Sequence, residues 1–233
     1  MSHASPAATT GRRAMPRQLA GSTHRRTRLL LAGGAVAGPL FMVLSLAQAF
    51  TRPGFDLRRQ PISMLSLGEG GWIQITNFLL TGVLALGLAL AVRQALRPGR
   101  AGTWGSLLLG AYGIGLIAAG LFHPDPAYGF PPGAPAGAPA TMSAHALVHN
   151  LAFFVAFIGL IAACLVFARR EAGLGRRRWA GYCLASGLSA PVFIALAATG
   201  LVASGVALAI LGVVTSGWVA AVSIHLLREQ QAH

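Results

Sequence analysis

Two histidines with helical spacing are the clearest chemical signal in the sequence. His145 and His149 lie one turn apart on the same face if the segment SAHALVHN is helical. This spacing lets a helix present two imidazoles to one metal ion, although the Glu of the zincin motif is absent. His123 or Asp125, which precede the segment, would complete three ligands of a candidate zinc site and leave the fourth position open for water.

The same residues also allow an interpretation without metal. An imidazole at the edge of hydrocarbon is costly to leave unpaired, so His145 and His149 can instead hydrogen-bond to neighbouring groups. A nearby Asp125 carboxylate would favour protonated imidazoles and make such a cluster sensitive to pH. The sequence leaves both alternatives open and predicts one polar cluster in either case.

Three further polar residues join Asp125 as candidate contacts to a small ligand. Asp56 and Ser63 lie in the connection 51–71, and Asn77 lies inside the next apolar segment. A buried amide such as that of Asn77 usually cross-links membrane helices, at ~0.6 kcal/mol on average. We expect the connection 51–71 to contact the proline-rich connection 123–143, because both are predicted on the external side.

The elements that must position these residues are six apolar stretches. Each is close to the ~20 residues that cross ~30 Å of hydrocarbon as a helix, and none contains Asp, Glu, Lys or Arg. Because backbone groups in lipid must satisfy their own hydrogen bonds, the stretches are predicted to be helices. They form an all-α, polytopic membrane bundle of six transmembrane helices over 29–228, with stretches at 29–50, 72–92, 104–122, 144–168, 179–200 and 206–227.

Composition agrees with a membrane protein and argues against a nucleic-acid partner. Hydrophobic residues make up 55% of the 233 residues and charged residues only 10%, against about 25% in soluble domains. The net charge of +13 comes from arginines at the ends of apolar stretches. Nothing resembles the aromatic-lined basic groove that single-stranded nucleic acids require.

Small residues recur at helical spacing in the apolar stretches. Gly34 and Gly38 form a G-x-x-x-G pair, and Ala111 with Gly115 and Gly212 with Ser216 form looser versions. Such pairs let helix backbones approach closely, within one bundle or between subunits. The bilayer is the expected partner, and contact between subunits through the Gly-rich faces is a further hypothesis.

These motifs together resemble a family of bacterial and archaeal membrane proteins known as domain of unknown function 998. The resemblance spans roughly 33–228 and implies six membrane helices, without a known substrate or reaction. It is carried by Arg52-Pro53-Gly54-Phe55-Asp56, Pro61-Ile62-Ser63, Gly71-Trp72, Asn77-Phe78, Gly82, Asp125-Pro126, Gly129-Phe130-Pro131-Pro132-Gly133 and His145 to His149.

Three classes of function fit the sequence. The first is a small polar or zinc site at the external membrane face that binds or acts on an interfacial, lipid-like ligand. The second is a non-enzymatic structural or accessory subunit. The third is a transporter, which the absence of charged residues inside the helices disfavours. The sequence does not decide whether the protein is an enzyme.

The distribution of arginine predicts the orientation in a cell inner (plasma) membrane. Fifteen arginines lie on the side of the termini and three on the other side, so both termini and a disordered tail at 1–28 are predicted to be cytoplasmic. A reporter fused after His233 should be active only in the cytoplasm; activity in the exported compartment would contradict this topology. A mature chain starting at Phe50 would show instead that Ala47-Gln48-Ala49 ends a cleaved signal peptide.

Overall fold

Six long helices account for most of the computed structural model, which describes residues 17–231 and side chains from Ser22 onward. A short 3₁₀ helix, Ile62–Ser66, lies in the first long connection, and a π-helical turn, Ala101–Gly105, leads into the third helix. The helices are α1 (Arg17–Thr51), α2 (Gly71–Ala95), α3 (Ser106–Leu121), α4 (Ala144–Gly173), α5 (Arg177–Thr199) and α6 (Ser204–Gln231).

The predicted all-α architecture is confirmed. All six helices are long and apolar enough to cross a membrane, and the third span includes the π-helical turn. Pro39 and Pro191 lie inside α1 and α5 without ending them. A multi-pass membrane protein is therefore the architecture that the sequence encodes.

The first helix is longer than predicted. We assigned 1–28 to a disordered tail, but α1 begins at Arg17, and residues 1–16 lie outside the described part. After Pro16 the sequence contains Gln, Leu, Ala and Arg, which favour helix, and Gly21 is the single glycine before the span. The membrane helix can therefore extend into this segment, because adding a residue to an existing helix costs much less than starting one.

The helices form a ring in chain order. Each packs against the next, and α6 returns to pack against α1. Successive helices cross in opposite directions, so the connections alternate between two ends of the bundle. We call the end with the connections 52–70 and 122–143 the loop face. The opposite end, with the connections 96–100 and 174–176, is the basic face.

Small residues let neighbouring helices of this ring approach closely. A Cβ atom on Gly38 would lie 2.6 Å from the carbonyl oxygen of Ser216 in α6, and one on Gly34 would lie 2.8 Å from Ser223 Oγ. A Cβ on Gly115 would similarly lie 2.7 Å from the carbonyl oxygen of Ala152 in α4. The glycines singled out in the sequence therefore contact helices of the same chain.

The fifth helix is packed along only half its length. Its buried residues are Cys183, Ser186, Gly187 and Ala190, all of which precede Pro191. From Pro191 to the end of the helix no residue is buried. The half of α5 near the loop face is therefore less buried than the half before Pro191.

Replacing Gly38 by Ala should destabilise the bundle by about 1–3 kcal/mol, because the new methyl group overlaps the α6 backbone. Gly217→Ala in α6 is the matched control, since nothing lies within 4 Å of its Cβ position. Thermal unfolding in detergent measures both. Equal melting temperatures for the two variants would contradict close packing of α1 on α6.

Candidate ligand site

A cavity lies inside the ring beneath the loop face. Its volume is about 90 Å³, and part of it is open to the outside. Its walls come from α1, α2, α3, α4, α6 and the 3₁₀ helix, and no residue of α5 contributes. Most of the wall is apolar, and its aromatic residues include Phe41, Phe78, Tyr112, Phe153 and Phe157.

His149 is the most informative polar residue of this cavity. Its side chain is 5% exposed, and Nδ1 lies 3.1 Å from the Ala119 carbonyl oxygen and 2.8 Å from that of Phe122. Because carbonyl oxygens only accept hydrogen bonds, Nδ1 carries the proton and donates to the end of α3. In the neutral imidazole this leaves Nε2 as an acceptor, and Nε2 has no partner among the described residues.

Hydroxyl groups complete the polar part of the cavity wall. Tyr112 and Ser216 are buried, and Ser63 lies in the 3₁₀ helix above them. Within the part of the chain that the structure describes, none of the three hydroxyls hydrogen-bonds to protein. The cavity thus combines apolar walls with unpaired groups that could donate to or accept from a ligand.

A second, more open cavity of about 740 Å³ leads from this space to the loop face. It is lined by the 3₁₀ helix, the connection 124–142 and the start of α4. Ser63, His149, Phe153 and Leu208 line both cavities, so the two meet at these residues. Asp125 lies on the outer cavity only.

Arg52 holds in place the segment 62–70, which covers the inner cavity and which we call its roof. Its guanidinium donates hydrogen bonds to the carbonyl oxygens of Leu65, Leu67 and Glu69, at 2.7 Å for Leu67. It also lies over the ring of Phe130, 5.1 Å from the centroid. Partial burial lowers the pKa of Arg52 from its ordinary value, and the cation fixes the 3₁₀ helix over the bundle.

The two long connections of the loop face pack together, which confirms that prediction. Gln60 is buried and donates from Nε2 to the Tyr128 carbonyl oxygen at 2.8 Å. Arg59 donates to the Ala136 carbonyl oxygen at 3.0 Å. The 3₁₀ helix begins after Pro61, and four of its five residues are buried.

The four predicted metal ligands divide into two groups. His123 and His145 stack at the surface, with ring centroids 5.1 Å apart, whereas His149 faces inward to the end of α3. Asp125 Oδ2 accepts a hydrogen bond from the Ser143 amide at 2.8 Å. The hydrogen bonds of Ser143 lower the pKa of Asp125, and the charges of His123 and His145 lower it further.

This geometry does not gather the four side chains around one point. In the described part of the chain, one group of three His, Cys or carboxylate residues has ligand atoms within 4.8 Å of one another, and it lies at the basic face. His149 uses Nδ1 on two carbonyl oxygens, which orients its ring away from His145. Zinc binding by His123, Asp125, His145 and His149 stays a prediction.

The remaining predicted ligand contacts, Asp56 and Asn77, hydrogen-bond within the protein. Asp56 is exposed, and its Oδ1 accepts from the Arg58 amide at 2.9 Å within one turn of the loop. Asn77 is buried and donates from Nδ2 to the Phe41 carbonyl oxygen at 3.0 Å and to Ser45 Oγ at 3.2 Å. Asn77 therefore cross-links α2 to α1 outside the cavity wall.

A buried ionic cluster at the basic face was not predicted. Glu171 is 1% exposed and contacts Arg170, Arg176 and His225, the last two at 3.3 Å. Glu229 contacts the same three residues, with Arg170 Nη2 2.8 Å from Oε2. The cluster joins α4 and α6 to the start of α5. In the sequence, its signal is the His225 and Glu229 pair, four residues apart.

Comparison with known proteins identifies the family. The model of a protein family of unknown function, DUF998, matches residues 35–225, so the chain belongs to this family. The match covers α2 to α5 completely, parts of α1 and α6, and both long connections of the loop face. Neither the curated proteins nor the solved structures include a significant match.

Replacing Arg52 should loosen the roof of the cavity. In Arg52→Gln the carbonyl oxygens lose their cationic donor, and we expect local opening of 62–70 to become easier by about 2 kcal/mol. Arg52→Lys should recover only part of the stability against local opening, since one ammonium group cannot reproduce the several N–H donors of the planar guanidinium. Hydrogen exchange of these amides measures the effect.

Arg58→Gln is the control, because Arg58 is exposed in the same loop and its side chain has no ion pair among the described residues. If the amides of 62–70 exchange equally fast in Arg52→Gln and Arg58→Gln, Arg52 does not hold the roof.

Proposed function

We propose that this member of the family binds a single-chain, lipid-like amphiphile in the two joined cavities, with its polar end near the loop face. The observation that carries the proposal is an apolar cavity that ends in unpaired polar groups at His149 and Ser63. Ligand cavities are commonly of this kind, with mostly apolar walls and a few polar groups that fix orientation.

The polar groups support an amphiphile over a purely apolar ligand. With Nδ1 donating to α3, His149 in its neutral form offers Nε2 as an acceptor, and Ser63 and Tyr112 offer hydroxyl groups. A carboxylic acid, hydroxyl or amide head can pair with these groups, whereas an alkane would leave them unsatisfied at a cost of roughly 1–3 kcal/mol each.

The access route also supports a ligand from the bilayer. No residue of α5 lines either cavity, and α5 has no buried residue beyond Ala190. Both α4 and α6 line the cavity, and α5, which packs against both, is least buried beside it. A hydrocarbon chain can enter there from the lipid, while its polar end stays near the outer cavity.

A structural or accessory subunit and a transporter are the alternatives carried over from the sequence. A purely structural subunit has no need for a cavity whose wall carries polar groups without partners, because each is costly to keep in hydrocarbon. A transporter would need a route to the basic face, and the cavity wall ends at Tyr112, Ala156 and Ser216. Ligand binding is thus the function that the cavity supports best.

A photoactivatable palmitic acid with a diazirine on its chain tests the proposal. Membranes containing the protein are irradiated, and the labelled peptides are mapped by mass spectrometry. We expect label on α4 near Phe153 and on α6 near Thr215. Leu208→Trp should remove most of it, because Leu208 is half-buried where the two cavities meet.

Ile210→Trp is the matched control, since Ile210 is exposed on the same helix and lines neither cavity. Equal labelling of the two variants would mean that the probe reports only the lipid-facing surface. A diazirine alkane without a head group should label weakly; labelling as strong as that of palmitic acid would rule out recognition of a polar end.

A further inference from the structure

A pocket rich in arginine lies at the basic face, away from the cavity. It is formed by the connection 96–100, the π-helical turn and the end of α4. Arg97, Arg100 and Arg169 line it and are exposed, and Arg170 lies at its edge. Trp104, with 58% of its surface exposed, forms another part of the wall.

Three of these arginines have no compensating carboxylate. Arg97, Arg100 and Arg169 make no ion pair or side-chain hydrogen bond in the described part of the chain. The acidic side chains lie elsewhere: Asp56, Glu69 and Asp125 belong to the loop face, and Glu171 and Glu229 are held in the ionic cluster. The pocket therefore concentrates three unpaired cations.

Guanidinium groups that converge in one pocket suit a phosphate ligand. Each offers a planar fork of N–H donors that matches two phosphate oxygens, and several together neutralise the charge of a phosphodiester. Tryptophan favours the head-group region of a bilayer, where such phosphates lie. Basic pockets between membrane helices bind anionic lipid head groups in the same way.

An apolar groove begins beside this pocket. It runs between α2 and α3 from Arg93 and Thr103 to Ile114, and its walls include Leu90 and Leu107. Thr103 directly precedes Trp104 of the pocket, so the two features adjoin around the start of α3. A phosphate held by the arginines leaves its acyl chain room to lie along this groove.

We propose that this pocket and groove form a site for an anionic phospholipid, with its phosphate on Arg97, Arg100 and Arg169 and one acyl chain between α2 and α3. The site is separate from the cavity and does not depend on the proposed function. It requires only that the basic face lie at a membrane surface, on whichever side.

Native mass spectrometry of the full chain in detergent tests this site. Phosphatidylglycerol and phosphatidylcholine with identical chains are added in turn, and the bound copies are counted. We expect the wild type to retain phosphatidylglycerol about tenfold better, since each Arg near an anionic surface contributes favourably. The variant R97Q/R100Q/R169Q should lose this preference.

The control variant R177Q/R178Q/R228Q removes three exposed arginines from the same face outside the pocket and should keep the preference. An equal loss in both variants would show a general charge effect and overturn the site. Equal retention of the two lipids by the wild type would do the same. If millimolar inorganic phosphate displaced phosphatidylglycerol completely, the site would belong to free phosphate, and the lipid assignment would be wrong.

Discussion

The Arg52 guanidinium is the interaction on which the loop face depends. The end of the 3₁₀ helix and the turn that follows it present carbonyl oxygens without helical partners, and these would be costly to leave unpaired beside hydrocarbon. One cation from the residue after α1 satisfies three of them and contacts Phe130 of the other connection. Because Ser63 of this helix lines both cavities, the position of the cavity roof depends on Arg52.

Polar residues between the helices serve two different purposes. Ser45, Gln48, Gln74 and Asn77 form a buried network in which Gln48 Nε2 donates to Gln74 Oε1 at 2.9 Å. These side chains hold α1 against α2 where the membrane offers no hydrophobic driving force. Gln48 Oε1 and Asn77 Oδ1 of this network have no partner, but they lie outside the cavity wall, whereas the free nitrogen of His149 belongs to a residue that lines it. Polar residues that join helices are thus distinct from those available to a ligand.

The sequence predicted the helices well because length and apolarity alone determine them. Helical spacing correctly placed His145 and His149 one turn apart on α4. It could not show that α3 ends beside His149, where two carbonyl oxygens accept a hydrogen bond from Nδ1. The cavity depends on how five helices pack, and a packing gap has no local sequence pattern. The ionic cluster was missed for a similar reason, since Glu171 and Glu229 are far apart in the chain and meet only in the folded ring.

The unpacked half of α5 has a consequence for how occupancy of the cavity is set. A ligand that enters between α4 and α6 comes from the bilayer, so the relevant concentration is its mole fraction among the lipids. The surrounding water then affects binding only through the partitioning of the ligand between water and bilayer. Dilution of the cell suspension would therefore hardly change the occupied fraction of the cavity. A modest preference over ordinary acyl chains would keep the cavity filled, and its contents would follow the composition of the membrane around it.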